Sequence, residues 1–121
     1  MERVIKVGNI DVHFAASAAT PMKYRNAFKG EDLFRDLIAI DEARAEAETD
    51  AEVFAGIDMG IFERIAYIMS DAPLKGIGLE EWLSQFELMD VMTALPEIME
   101  LWEANTDTQT LTEKNTEAIE R

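Results

Sequence analysis

Cysteine is absent from the sequence, so neither a disulfide nor a thiolate metal site can form. That absence fits a reducing cytoplasm, the expected location. Histidine occurs once, as His13, and a single imidazole cannot build an H-E-x-x-H zinc site. His13 falls on the polar face of a predicted strand, where a plain surface residue is expected. Only three serines occur, Ser17, Ser70 and Ser84, none of them in a G-x-S-x-G elbow. No EF-hand loop or phosphate-cradling loop is present. Gly76-Ile77-Gly78 lacks a third glycine and a preceding strand, so it reads as a linker. Carboxylate pairs such as Glu80/Glu81 and Glu97/Glu100 arise by chance among 25 acidic residues. No catalytic residue, metal or cofactor is assigned, and the chain is expected not to be an enzyme.

Positive charge is also scarce. Eleven Lys and Arg face 25 Asp and Glu, a net charge of −14. A phosphate backbone rewards the opposite sign, so no nucleic-acid partner is expected, and anionic membrane surfaces are disfavoured likewise. No apolar run approaches the roughly 18 residues of a membrane span. The opening MERVIKVGNI lacks the apolar core of a signal peptide. Basic protein partners, or simple solubility, are what the charge leaves.

What is present is enough apolar material, 48% of the residues, for one modest core. Residues 3–15 alternate like two strands around Gly8-Asn9, both tolerant of positive φ, which predicts a tight hairpin. Ile5 and Val7 share one face, as do Ile10, Val12 and Phe14. The free hairpin edge offers a route to self-association. Thr20-Pro21 predicts a capped helix start, with Met22 and Phe28 buried, Tyr24 flanking and Gly30 as a left-handed stop. Lys23, Arg25 and Lys29 make this helix the most basic patch of the chain.

Residues 31–48 predict a second helix, with Leu33, Phe34, Leu37, Ile38 and Ala45 as its inner stripe. A third starts either at Thr49, which has capping-box spacing to Glu52, or at Asp58, because Gly56 and Gly60 weaken the turn between. Ile61, Phe62, Ile65, Ile68 and Met69 mark the central core helix. After a loop over 72–78 come a short helix over 79–85 and a longer one over 88–105. Pro96 either kinks that last helix or opens a new one. The fold expected is mainly α: about five helices with an N-terminal β-hairpin over residues 1–105, then a flexible, Thr-rich tail over 106–121.

The stretch from Leu79 to Asn105 organises the rest. It carries both tryptophans, and from Gly76 to Glu113 there is no Lys or Arg against nine acidic residues. Leu88, Met92, Leu95, Met99 and Trp102 recur at steps of three and four, with Glu97, Glu100 and Glu103 mostly outside that stripe. Such a segment is either a core helix or a surface that grips a basic, amphipathic partner. On composition alone, a small acidic helical adaptor or inhibitor that covers a basic protein surface fits as well as a chaperone.

The order of short elements is more specific. Glu80-Glu81-Trp82-Leu83 with Phe86 is followed by Leu95-Pro96-Glu97-Ile98, Leu101-Trp102 and Asn105. Ala18 to Arg25, Gly30, Asp32-Leu33, Asp36-Leu37 and Ile61 to Met69 precede them in order. Over roughly residues 3–105 the chain resembles the tail assembly chaperones of long-tailed bacteriophages and prophages of Gram-positive hosts. Gly56 and Gly60 depart from that likeness, where a helix is expected. The resemblance implies a protein that binds the helical tape measure protein, keeps it soluble and helps recruit the major tail protein. It implies absence from the finished virion, and a longer form made by ribosomal frameshifting in many members. Trp82, Phe86, Met92, Glu97, Glu100, Trp102 and Glu103 are the partner-binding candidates, the tryptophans chiefly as fold builders and the glutamates as a working rim.

Overall fold

A computed structural model describes the backbone of residues 1–120, and the side chains of residues 1–105 except Asp50 and Phe54. Strands β1 (Glu2–Val7) and β2 (Ile10–Ala15) pair antiparallel, with Ile5 opposite Val12 and Val7 opposite Ile10. Ile5, Val7, Val12 and Phe14 are buried, whereas Ile10, expected inside, lies partly in solvent beside the turn. Only Gly8 uses positive φ, at +63°, and Asn9 does not. Glycine at the first central position is the arrangement of a two-residue turn whose twist suits a hairpin. A Cβ at Gly8 would collide with the Asp90 carboxylate. Gly8→Ala therefore meets both a left-handed backbone cost of about 1–2 kcal/mol and a displaced Asp90. The expected result is a lower urea midpoint at unchanged m-value.

The chain leaves β2 for α1 (Thr20–Ala27), with Pro21 in the first turn. Thr20 does not cap it. The cap position is Ala19, and the buried Thr20 hydroxyl accepts from the Ser17 N–H at 3.0 Å. The expected inner face of α1 is also rotated: Tyr24 is fully buried, Phe28 half-buried, and Met22 is 56% exposed. Gly30 holds φ +85° as the stop requires.

Helix α2 (Leu33–Glu46) begins with the Asp32 side chain accepting from Arg35 N–H. Its buried line is Leu33, Asp36 and Ile40, with Leu37 half-buried. Phe34 and Ile38, predicted inside, are 56% exposed each, and Ala45 is exposed too. A buried polar cluster sets this rotation. The Tyr24 hydroxyl donates to the Asp36 carboxylate, Arg64 Nε donates to the Tyr24 oxygen at 3.2 Å, and Arg64 lies 3.7 Å from Asp36. Arg35 Nε reaches Asp36 at 3.4 Å, and Glu31 takes both arginines from outside. Burial, and then the bond to Asp36, push the Tyr24 hydroxyl far above its usual pKa, so it stays a neutral donor. Three helices are thereby fixed around one carboxylate.

Both predicted starts of the third helix are used. Thr49 caps α3 (Asp50–Ala55) by accepting from Glu52 N–H, and Asp58 caps α4 (Met59–Met69) by accepting from Gly60 N–H. Gly56 and Ile57 separate the two helices. Helix α4 is the expected centre, with Phe62, Ile65, Ala66, Ile68 and Met69 buried. Ser70 then bridges to Phe14 of β2. A 3-10 turn (Pro73–Lys75) leads to α5 (Leu79–Leu83), two residues shorter than predicted.

Helix α6 (Asp90–Glu120) starts two residues later than predicted and runs on through Pro96. Pro96 faces solvent, where the missing N–H bond costs least. The predicted tail over 106–121 falls outside the residues whose side chains are described. Val91, Met92, Ala94, Leu95, Ile98, Met99 and Leu101 are all buried. Helix α6 is thus a second core helix, wrapped on more than one side. Leu88 stands before it, 85% exposed, because the helix begins only at Asp90 and the stripe has no register there. An edge-to-face aromatic line runs Tyr24, Phe28, Tyr67, Trp82 and Phe86, with ring centroids 5.1–6.1 Å apart.

Candidate partner-binding surfaces

The described residues hold no group of three or more His, Cys, Asp or Glu able to take a metal. No helix among them is long and apolar enough to cross a membrane. Among the described residues the surface offers several exposed apolar areas, and two of them border sequence candidates.

The first is a groove of about 570 Å³ between α1, α2 and α6. Met22, Phe34 and Ile38 line it, each more than half exposed, with half-buried Leu37 and Trp102 at its floor. The Phe34 and Trp102 rings meet edge to face at 6.3 Å. Arg25 and Asp41 stand on its rim. It exists because Asp36 takes the inner position of α2, which swings Phe34 and Ile38 outward.

The second surface lies where α5 turns into α6. Leu83 and Phe86 are half-buried there, and Met59, Leu88 and Met89 are exposed. A cavity of about 390 Å³ opens between Met59 and Leu88, with Glu63 and Glu87 as its only charged lining. No Lys or Arg occurs in sequence from Gly76 to Glu113. This patch is thioether-rich, and unbranched methionines adapt to partners of differing shape.

The sequence candidates divide among three environments. Trp82 and Met92 are buried, Met92 in the wall of the cavity beside Leu88. Trp82 sits between Tyr67 and Phe86 and serves the core. Phe86 edges the methionine patch and Trp102 floors the groove. Glu97, Glu100 and Glu103 are exposed but do not form an unpaired rim. Glu100 meets Arg3 of β1 at 3.3 Å, and Glu103 meets Arg44 of α2 at 3.6 Å. Glu97 alone of the three has no ion pair among the described residues. Exposed pairs of this kind contribute at most about 1 kcal/mol.

No family model, curated protein or solved structure matches the chain. Any partner must therefore be inferred from these surfaces. Neither was foreseen as such. Phe34 and Ile38 look like core in sequence, because Leu33-Phe34 and Leu37-Ile38 fit either of two neighbouring stripes. The signal that separates them is Asp36, which pairs across 12 residues with Tyr24 and cannot be read locally.

Proposed function

We propose that the protein is a binding protein of the tail assembly chaperone type, acting on a long, Lys-bearing amphipathic helical client. The tape measure protein of a phage or prophage tail is that client, with the major tail protein recruited afterwards. The chaperone works in the host cytoplasm and is left out of the finished virion. The observation that carries this reading is the cavity between the exposed Met59 and Leu88, whose only charged lining residues, Glu63 and Glu87, are both acidic. An amphipathic helix laid on such a patch buries its apolar face and sets its lysines against carboxylates. Charge of one sign speeds encounter and, at −14 overall, keeps the loaded complex from clumping.

Co-expression with the long helical protein tests the reading. The client should become soluble and co-purify, and Leu88→Asp with Met89→Asp should lower its affinity at least tenfold while far-UV circular dichroism stays unchanged. A client that remains insoluble, with nothing co-purifying, overturns it. Glu63→Lys with Glu87→Lys should weaken binding mainly at low salt, since screening removes exposed electrostatics first.

A further inference from the structure

Met92, in the first turn of α6, forms part of the wall of two cavities. One is the cavity between Met59 and Leu88, whose charged lining is Glu63 and Glu87. The other, of about 330 Å³, lies between α2, α3, α4 and α6 and is walled by Ile40, Val53, Phe62, Met89 and Leu95. Arg44 is its only charged lining residue among those described. Leu88 and Met89, consecutive and both exposed, line one cavity each. The two cavities therefore adjoin, and they have opposite electrical sense. Glu63 and Glu87 form no ion pair among the described residues. Arg44 meets Glu103 at 3.6 Å, but both side chains reach well into solvent, so the pair is weak. A guanidinium carries five N–H donors, and this one contact does not exhaust them.

We infer that one client segment occupies both cavities, and that the order of its charges sets the direction in which it lies. The occupant is an amphipathic helix with apolar side chains along one face, lysines towards one end and a carboxylate towards the other. Charge complementarity selects it. Ammonium groups match Glu63 and Glu87, and a carboxylate matches Arg44, which a helix with lysines at both ends would meet with like charge. The apolar side chains of the helix enter on either side of Met92. Laid the other way round, the same helix sets its lysines against Arg44 and its carboxylate against Glu63 and Glu87, so one direction is favoured. The chain thereby reads the polarity of its client as well as its apolar face. This inference rests on the client-binding reading, and adds to it an acidic residue in the client and a direction.

Two helical model peptides with the same length and apolar face test it on the full chain. The first has lysines at both ends, the second lysines at one end and glutamates at the other. Fluorescence anisotropy measures their binding at about 0.15 M salt, where a Debye length of ~8 Å leaves mainly local contacts. Although the chain carries a net charge of −14, the second, less cationic peptide should bind about tenfold more tightly. Arg44→Ala should remove that preference and Arg44→Glu should reverse it, with thermal unfolding checking that loss of the Glu103 pair leaves both variants folded. The absence of cysteine makes direction readable. Met59→Cys places one thiol in the acidic cavity, and Thr93→Cys places one in the Arg44 cavity. A thiol-reactive group on the lysine end of the second peptide should label Met59→Cys, and one on the glutamate end should label Thr93→Cys. Tighter binding of the all-lysine peptide, Arg44 variants with an unchanged preference, or equal labelling from both ends overturns the inference and leaves the client-binding reading standing. Binding of neither peptide overturns both.

Discussion

Asp36→Ala should cost about 3–5 kcal/mol of folding stability, the range for removing one partner of a buried charge pair. The side chain is 4% exposed and Arg64 beside it 16%, so water does not replace the lost carboxylate. Two consequences follow together. Arg64 keeps its charge with only the half-buried Glu31, at 3.5 Å, as anionic partner, and the Tyr24 hydroxyl loses its acceptor in the core. Domains of this size are stable by only about 5–15 kcal/mol in total, so the variant should melt far below wild type. Asp36→Asn, which keeps an acceptor for Tyr24 but not the charge, should fall between the two. Urea denaturation followed by circular dichroism reads the effect. A loss under about 1 kcal/mol for the alanine variant would show that the cluster is not what orients α2.

The second large effect is at Trp82. Trp82→Ala removes the member of the aromatic line that joins α4 to the α5–α6 junction, and truncation of a buried aromatic costs about 3–5 kcal/mol. Leu88→Ala, six residues on, should change stability by no more than about 0.5 kcal/mol, as exposed positions do. Thermal unfolding of the two variants therefore separates fold from function inside one short motif. If Trp82→Ala melted like wild type while binding was lost, Trp82 would be a contact residue and its burial would have to open. The expected pattern is the reverse: an unstable Trp82 variant, and a stable Leu88 variant that binds its client more weakly.

These two residues also show where local reading of the chain succeeds and where it stops. Alternation around Gly8, proline at Pro21, and the caps at Thr49 and Asp58 are short-range physics, and each element they announce is present. The apolar density of Ile61 to Met69 similarly marks α4 as central. Rotation about a helix axis is different, because it is decided by what lies across the core. Tyr24 and Asp36 are buried as a pair, and Arg64 joins them from 40 residues beyond Tyr24. No periodicity in either helix alone reveals that match. The glutamates of α6 mislead for the same reason. Their neighbours Arg3 and Arg44 lie 97 and 59 positions away in sequence, so a run without cations looks more naked than it is. Trp82 and Phe86 were singled out together by motif, yet one is core and the other borders the surface.

The contact between Gly8 and Asp90, and the ion pair between Arg3 and Glu100, carry a consequence for how the protein is made. The hairpin leaves the ribosome before α6, which emerges only after the intervening helices. A two-stranded hairpin is marginal without a surface to rest on. At about 5–20 residues per second, the 97 residues separating Arg3 from Glu100 take roughly 5–20 s to synthesise. During that interval β1, with its buried Ile5 and Val7, has no α6 to rest on. Release of α6 then joins the earlier-made hairpin to the later-made helix, so the packing of β1 on α6 is completed in one late step.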